Sequence, residues 1–322
     1  MLVHLLIDGV ADGTFGVGVE VAAAAARLAT ERETVRALRQ RIVSLDGRAV
    51  TSSAGRPVAV DGRLEVRGLG RRDVLIIPGL SGVATAPAIA RLLTPRFVEA
   101  LGVLRRAQAR GVTLAASCSA TFLLGAAGVL AGREATTTWW LAGDFARRFP
   151  GAALVGERMV VESGGVLTAG SAFAHADLML AIVARVAGPS LAQLVARYLV
   201  LDQRSSQARY MVLDHLRTAD PALERMEAAV RKDLSRQLTL GDLARAAGTS
   251  PRTLLRRTRA ALGVTPLAFV HRLRVAHAAH LLETTDRSVE EIAGRVGYSD
   301  AAAFRRIFRR YEGRTPRELR PR

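Results

Sequence analysis

Continuous apolar runs alternate with helical patterns over the first 200 residues. Four short runs are dominated by apolar residues and end at a turn; they are LVHLLI (2–7), DVLIIPG (73–79), VTLAAS (112–117) and VLTAG (166–170). Strands that are apolar on both faces and separated by helices are typical of a parallel sheet covered on both sides. The pattern therefore predicts an α/β fold with a doubly wound parallel sheet, which binds ligands at the carboxyl ends of its strands.

Turn and cap residues place further elements between these strands. LRQRIVSL (38–45) is strand-like, and residues 46–62 have the glycine-containing turn chemistry of a hairpin. A helix is predicted over 94–111, because Thr94 is a suitable N-cap and Gly111 ends the pattern.

The pattern changes near residue 200. DQRSSQARY (202–210) is polar and loop-like, and everything that follows it has helical periodicity. We therefore expect one domain over residues 1–201, a linker over 202–220 and an all-α domain over 221–322.

The C-terminal part contains an internal repeat. LGDLARAAGTSPRTLLRRTRAALGVTP and VEEIAGRVGYSDAAAFRRIFRRYEGRTP align at an offset of 49 residues before the turn and 50 after it. Each copy is a short helix, a glycine-containing turn, an N-cap (Ser250 or Asp300) and a second helix rich in arginine. This pattern predicts two helix-turn-helix units, whose second helices dock through apolar residues such as Leu254, Phe304 and Phe308.

The stretch between the two copies, PLAFVHRLRVAHAAHLLETT, is predicted to be a single helix. Val275, Ala278, Ala279 and Leu282 recur on one of its faces. A rigid helix here would hold the two recognition helices about 34 Å apart, so that they enter successive major grooves of DNA.

The charge of the C-terminal part of the chain favours a nucleic-acid partner. The sequence has 46 basic and 29 acidic side chains, and residues 221–322 alone hold 21 basic and 11 acidic ones, a net charge of +10. A basic excess concentrated at one end suits a polyanion.

The cysteine and histidine residues argue against a disulfide-stabilised protein and against a metal-binding one. Cys118 is the only cysteine, which rules out an intrachain disulfide framework. His277 and His280 have a spacing that could chelate a metal, but no third ligand is evident nearby. We interpret them as solvated or packed residues, and expect neither a metal nor a cofactor.

We expect a cytoplasmic protein with no membrane partner. The start, MLVHLLIDGV, lacks the basic region of a signal peptide. The uncharged stretch 111–132 is long enough to span a membrane. Its glycines and central turn residues instead predict a buried strand followed by a packed helix.

Residues 238–322 resemble the DNA-binding domain of AraC-type transcription regulators. The resemblance rests on R-V-x-x-A-x-x-L-L (274–282), EIAGRVGYSD (291–300), F-R-R-I-F (304–308) and EGRTPRELR (312–320), and it covers both helix-turn-helix units. It implies that the exposed first half of each recognition helix touches bases. The implied residues are Arg252, Leu255, Arg256, Ala301, Ala302, Arg305 and Arg306.

Two residues depart from the AraC-type pattern. Thr258 stands where an aromatic core residue is usual, and Ala301 and Ala302 offer only methyl contacts. The second recognition helix would then read thymine methyl groups or mainly contact phosphates.

The first 200 residues resemble the PfpI-like branch of the class I glutamine amidotransferase-like superfamily, and in particular the sensor domain of GlxA-type regulators. CSATFLLGAAGVLAGREATTTWW (118–140) is similar to the family's cysteine elbow and following helix, and AGSAFAHADLMLAIVARV (169–186) to its late helix. The resemblance implies a flavodoxin-like sheet with Cys118 at a helix start.

The residues that would support catalysis by Cys118 differ from those of the enzymes in this superfamily. Ser119 and Thr138 stand where histidines are usual, and Leu80 replaces the second glycine of a PGG turn. Thr14 replaces an acidic residue, although Glu20 matches a family glutamate.

His175 and Asp177 remain as polar residues near the strand ends. Cys118 is thus a candidate nucleophile, or else a ligand-contacting or structural residue.

The two resemblances together imply a transcription regulator that binds promoter DNA, senses a small polar or nitrogen-containing effector and forms a homodimer, without being an enzyme. The expected effector contacts are Gly79, Leu80, Ser81, Cys118, Ser119, Trp139 and His175. One alternative is a cysteine-dependent hydrolase or hydratase with an attached DNA-binding domain. Another makes the first domain only a dimerisation scaffold.

Overall fold

A computed structural model describes residues 1–30, 38–80, 95–202, 204, 206, 207, 210 and 220–320. The chain divides into two compact units, Met1–Arg204 and Ser205–Arg322. The predicted linker, 202–220, and the predicted cap Thr94 lie mostly or wholly outside the described residues, so both stay predictions.

The N-terminal unit is built on one six-stranded sheet in the order β2-β1-β5-β6-β10-β9. Five strands are parallel, and β9 pairs antiparallel with β10 at one edge. Without that edge strand the spatial order is the flavodoxin-like one, which confirms the predicted fold. The strands are β1 Leu2–Leu5, β2 Gln40–Val43, β5 Val74–Ile77, β6 Thr113–Ser117, β9 Val160–Ser163 and β10 Val166–Ala169.

Two small sheets flank the main one. The predicted hairpin is present as β3 (Val50–Thr51) and β4 (Pro57–Val58), which pair antiparallel. The second small sheet, β7 (Glu134–Ala135) with β8 (Ala153–Leu154), is parallel. Neither this sheet nor the edge strand β9 was predicted, because their short runs mix polar and apolar residues.

Helices cover both faces of the main sheet. They are α1 Asp12–Thr30, α2 Pro95–Ala109, α3 Thr121–Ala126, α4 Ala142–Arg148, α5 Ala174–Ala187 and α6 Pro189–Tyr198. Alternate residues of β5 enter opposite cores: Leu75 packs with α2 and α3, whereas Ile76 packs with α1, α5 and α6. This two-sided burial explains why the strands read as continuous apolar runs.

The uncharged stretch 111–132 forms β6, a short 3₁₀ turn over Cys118–Ala120, and α3. This arrangement confirms the prediction of a buried strand followed by a packed helix. In the part of the chain that the structure describes, no helix is both long and apolar enough to cross a membrane.

The described C-terminal unit is all helical, as predicted. Its helices are α7 Pro221–Lys232, α8 Leu240–Ala247, α9 Pro251–Leu262, α10 Pro266–Thr284, α11 Val289–Arg295, α12 Ala301–Glu312 and α13 Pro316–Leu319. Helices α8–α9 and α11–α12 are the two helix-turn-helix units, and α10 connects them.

The start of each recognition helix follows from its cap residue. The Ser250 hydroxyl accepts the Thr253 N–H, and the Asp300 carboxylate accepts the N–H groups of Ala302 and Ala303. Both caps were predicted. They satisfy backbone donors that have no partner inside the helix, and so fix where α9 and α12 begin.

The predicted apolar faces of the recognition helices are buried. Leu254, Phe304 and Phe308 are fully inaccessible to solvent, and Val275 and Leu282 of α10 lie in the same core as the two phenylalanines. The linking helix therefore serves as the core against which the second helix-turn-helix packs.

A buried arginine ties the second turn to the rest of this unit. Arg274 of α10 donates to the carbonyl oxygens of Gly297 (3.3 Å) and Arg236 (2.6 Å), and its guanidinium lies over the Tyr298 ring. The Tyr298 hydroxyl shares a hydrogen bond of 2.7 Å with His271 Nδ1. Gly297 is required here because it has φ +83° and a Cβ would lie 2.7 Å from the Leu234 carbonyl oxygen.

We therefore expect Gly297→Ala to lower the free energy of unfolding of the C-terminal unit by about 2 kcal/mol or more, since backbone strain and a steric clash add up. The measurement is urea unfolding followed by circular dichroism. Gly294→Ala is the matched control, because its Cβ meets nothing within 4 Å and it lies inside α11. It should change stability by less than about 1 kcal/mol. Equal effects of both changes would contradict the strain at Gly297.

Candidate effector site and nucleic-acid interface

Cys118 lies on a strained turn at the end of β6. Its φ is +55°, a left-handed conformation that side chains other than glycine seldom adopt. The Cys118 N–H donates to the Gly170 carbonyl oxygen (2.8 Å) beyond β10, and its own carbonyl oxygen accepts the Thr137 hydroxyl (2.8 Å). These two hydrogen bonds hold the sharp turn between β6 and α3.

The Cys118 thiol is buried among hydroxyl groups. Burial raises its pKa, and hydrogen bonds from the backbone and hydroxyl of Ser119 and from the Thr138 hydroxyl oppose this rise without cancelling it. The thiol is therefore protonated at neutral pH, whereas a cysteine nucleophile acts as a thiolate.

Ser119 joins the elbow to the turn after β5. Its hydroxyl donates to the Leu80 carbonyl oxygen (2.6 Å) and accepts the Leu80 N–H (3.0 Å). A Cβ on Gly79 would lie 3.0 Å from the Cys118 Cβ and 3.7 Å from the Thr14 methyl group, so glycine permits this close approach. The backbone N–H groups of Leu80 and Cys118 are thus both hydrogen-bonded within the protein.

His175 lies beneath the elbow. It is fully buried in α5, and its Nδ1 is 2.9 Å from the hydroxyl oxygen of Ser117, the residue before the cysteine. Its Nε2 packs against Gly18 of α1, where a Cβ would come within 2.6 Å. Sequence reasoning placed His175 at the strand ends, but only the tertiary structure shows that it bonds Ser117.

The segment between β10 and α5 forms one wall of the site. The Ser171 hydroxyl is 3.2 Å from the Thr138 hydroxyl, which itself bonds the thiol. The sequence pattern marks Thr138 only as a position where a histidine is usual, and it does not indicate that Ser171 lies at the site. The hydroxyl-rich stretches TTTWW and AGSAF were the available signal.

Asp177 forms an ion pair with Arg204. The Arg204 Nη2 donates to the Asp177 carboxylate at 2.5 Å and to the Phe173 carbonyl oxygen at 2.8 Å. Burial raises the pKa of Asp177, and the hydrogen bonds and charge of Arg204 oppose that rise. Glu20, which matches a family glutamate, is exposed on α1.

Of the predicted effector contacts, Gly79, Leu80, Cys118 and Ser119 lie together and are buried. Trp139 directly follows Thr138 and is also buried, with its ring edge-to-face against the partly exposed Trp140 at 5.1 Å. Ser81 lies outside the described residues.

The predicted DNA contacts lie on the accessible side of the recognition helices. Arg252, Arg256, Ala302, Arg305 and Arg306 are exposed, whereas Leu255 and Ala301 are half-buried; all seven belong to α9 or α12.

Two residues of these helices have partners that the sequence pattern does not reveal. Arg305 forms an ion pair with Glu290 of α11, so its guanidinium is positioned within the unit. Thr258, which replaces the usual aromatic residue, is fully buried, and its hydroxyl donates to the Leu254 carbonyl oxygen (2.8 Å). The polar substitution is thereby satisfied inside α9.

Both units match known families. Residues 9–185 match the DJ-1/PfpI family, and residues 243–322 match a helix-turn-helix domain. The HTH-type transcriptional regulator GlxA of Rhizobium meliloti (strain 1021) is 33% identical over 226 residues, which is 68% of each chain. The chain belongs to the GlxA-type family of transcription regulators. Its C-terminal unit is accordingly a DNA-binding domain.

Other relatives of this regulator agree with that assignment. The HTH-type transcriptional regulator CdhR of Pseudomonas aeruginosa is 30% identical over 275 residues, or 84% of this chain and 78% of its own. The crystal structure of Drosophila melanogaster DJ-1beta covers 62% of this chain and 97% of its own, with a TM-score of 0.51 and 20% identity. This last likeness concerns the fold alone.

The two buried histidines should make the N-terminal unit less stable in acid. Burial lowers the pKa of His175 to about 3 and that of His4 to about 4, with the charge of His4 adding to the effect on His175. Below pH 6.5 the unfolded chain then binds more protons than the folded one, so stability falls as the pH falls towards about 4.

Between pH 7.5 and pH 5 we expect a loss of about 2 kcal/mol for each buried histidine. The measurement is urea unfolding at both pH values followed by tryptophan fluorescence, because both tryptophans, Trp139 and Trp140, lie in this unit. His4→Leu should remove about half of the loss. A free energy of unfolding that stays constant over this range would contradict the prediction.

Proposed function

We propose that this regulator binds a small polar effector at the Cys118 elbow and does not act on it chemically. The observation that carries the proposal is the combination of an enzyme-like elbow with backbone donors that the protein itself occupies. The positive φ of Cys118 is retained. The Leu80 and Cys118 N–H groups, which lie beside the thiol, bond Ser119 and Gly170.

Three features argue against catalysis. The thiol is protonated at neutral pH because burial raises its pKa. His175 bonds Ser117, and Asp177 bonds Arg204, so each of these potential bases has another partner. An oxyanion needs donors aimed at it in advance, and the Leu80 and Cys118 N–H groups are instead bonded to Ser119 and Gly170.

The hydroxyl groups favour a polar effector. Ser119, Thr137, Thr138 and Ser171 place four hydroxyl groups at the elbow. The Ser119 and Thr137 hydroxyls donate within the protein, and their oxygens keep the capacity to accept a further hydrogen bond. Trp139 adds an aromatic surface next to them. Such a lining suits a small polar or nitrogen-containing molecule, the class that the family resemblance implies.

We infer that effector binding acts on the segment between β10 and α5, which is bonded to the last residue of the N-terminal unit. Gly170 accepts the Cys118 N–H, Ser171 bonds Thr138, and the Phe173 carbonyl oxygen accepts Arg204. Arg204 ends the N-terminal unit. An effector that moves this segment would therefore act on the chain that leads to the DNA-binding unit, and in a homodimer would change the spacing of DNA half-sites.

The second candidate is a cysteine-dependent hydrolase or hydratase tethered to DNA. The positive φ of Cys118 favours it, since strain of this kind is how several enzymes present a nucleophile. The two candidates make opposite predictions for the reactivity of the thiol.

We expect iodoacetamide to alkylate Cys118 at pH 7 at least about tenfold more slowly than a free thiol, because burial raises the pKa of the thiol above that of a free cysteine and limits access of the reagent. Cys118→Ser should leave the affinity for promoter DNA unchanged. Mass spectrometry and fluorescence anisotropy make the two measurements. Rapid alkylation together with hydrolytic turnover that Cys118→Ser abolishes would support the enzyme instead.

The same preparation tests sensing. Metabolites of neighbouring genes are titrated against the full-length protein on a labelled promoter fragment, and footprint, affinity and melting temperature are recorded. A sensor shows a ligand-dependent melting temperature and a changed footprint. If no metabolite changes either, the N-terminal unit is a dimerisation scaffold.

For the DNA-binding unit, we propose that Arg252, Leu255 and Arg256 of α9 and Ala301, Ala302, Arg305 and Arg306 of α12 face the major groove. All seven are exposed or half-buried on the two recognition helices. Arg256 and Arg306 are the proposed base-reading side chains, because an arginine fork matches the guanine edge. The methyl groups of Ala301 and Ala302 suit thymine.

Arg256→Ala and Arg306→Ala should each cost about 1–3 kcal/mol of binding free energy on the specific promoter and much less on unrelated DNA. Arg27→Ala is the control, since Arg27 is exposed on α1 in the other unit. An equal loss on every sequence, with a shallower salt dependence, would make these arginines phosphate contacts.

A further inference from the structure

The DNA-binding unit has a concave surface that contains none of the side chains assigned to base reading. It encloses about 550 Å³ between the end of α7 with the loop that follows, the middle of α10 and the end of α11. We call it the basic cleft. Its lining residues are Arg231, Lys232, Asp233, Leu234, Ser235, Leu273, Ala276, His277, His280 and Arg295.

Three helices bring basic side chains to this cleft. Lys232 lies in the last turn of α7 and Arg295 in the last turn of α11, while His277 and His280 lie one turn apart on α10. All four side chains are exposed.

One cation and one carboxylate of the lining have partners within the unit. Arg231, the remaining cation of the lining, forms an ion pair with Glu227 at 2.6 Å. Of the lining residues that the structure describes, Asp233 alone is acidic. Its carboxylate accepts the Ser235 hydroxyl (2.6 Å) and the Ser235 N–H (3.0 Å).

Positive charge therefore exceeds negative charge in the cleft, since its lining holds Arg231, Lys232 and Arg295 against the single carboxylate of Asp233. Burial lowers the pKa of His277, and the nearby His280 lowers it further, so this imidazole is a neutral hydrogen-bonding group at pH 7. Bringing cations together costs free energy that an anion between them would recover.

We propose that the basic cleft binds a phosphate group. Lys232 offers a point charge, Arg295 a planar fork, and the two imidazoles further N–H donors, a combination that suits a tetrahedral anion approached from several sides. The cleft is larger than one such anion, so it has room for a phosphate that belongs to a larger body. That body is either the backbone of DNA or a phosphorylated small molecule.

This assignment is independent of the effector proposed for the Cys118 elbow. It involves residues of α7, α10 and α11, whereas the base-reading arginines lie on α9 and α12. The cleft can fail as a phosphate site without affecting either proposal above.

Lys232 makes a sharp test possible, because it is the only lysine in the chain. The full-length protein is acetylated with limiting acetic anhydride, and the rate at Lys232 is read by mass spectrometry. The reaction is run alone, with inorganic pyrophosphate, with a random-sequence DNA duplex, and with sodium chloride at matched ionic strength. The sodium chloride reaction, called the salt arm, measures how much ionic strength alone slows acetylation.

Protection of Lys232 beyond the salt arm is the expected result. A bound anion should slow acetylation about threefold at a concentration about twice its dissociation constant. Protection by pyrophosphate identifies a small-molecule phosphate, and protection by the duplex alone identifies the DNA backbone.

Two substitutions in the cleft, compared with one outside it, distinguish binding in the cleft from electrostatic attraction of the anion to the whole basic unit. Arg295→Gln and His280→Gln should each weaken the protection, whereas Arg259→Gln, which removes an exposed charge at the end of α9, should not. Acetylation that neither anion slows beyond the salt arm would overturn the proposal. Equal protection in all three variants would overturn it too.

Discussion

The hydrogen bond from the Cys118 N–H to the Gly170 carbonyl oxygen organises the functional end of the N-terminal unit. It joins the ends of β6 and β10 just where both strands stop, and it accompanies a positive φ that cysteine rarely adopts. The 3₁₀ turn that starts α3, the contact with Gly79 and the hydroxyl groups around the thiol are all placed by this geometry. Without this hydrogen bond, the backbone of Cys118 would lose one of the two hydrogen bonds that hold it at a positive φ.

The elbow of this DJ-1/PfpI unit thus has backbone donors that are bonded within the protein. Catalysis requires unpaired donors, a thiolate and a nearby base. In this regulator, Ser119 occupies the Leu80 N–H, burial keeps the thiol neutral, and His175 bonds Ser117. On the proposed function, these contacts leave a polar surface at the elbow. Hydrogen bonds join Ser171 to Thr138 and the Phe173 carbonyl oxygen to Arg204.

In the DNA-binding unit, neighbouring residues set where the helices begin, whereas residues distant in sequence hold the turns in place. Cap residues such as Ser250 and Asp300 set where the recognition helices begin. How the second turn is held depends on Arg274, a buried cation from the linking helix that reaches Gly297 and Arg236. Its desolvation is offset by carbonyl oxygens and by the Tyr298 ring, which is why arginine is tolerated in this core.

Residue patterns alone predicted a parallel sheet covered on both faces, the two helix-turn-helix units, their caps and the position of Cys118 after a buried strand, whereas the flavodoxin-like form was implied by the family resemblance. The patterns suffice for the former because periodicity and turn chemistry act over a few residues. The partners of individual side chains could not be read in this way. His175 bonds Ser117, Arg305 pairs with Glu290, and the antiparallel β9 closes the sheet edge. Such contacts depend on how distant elements are oriented, which local patterns do not encode.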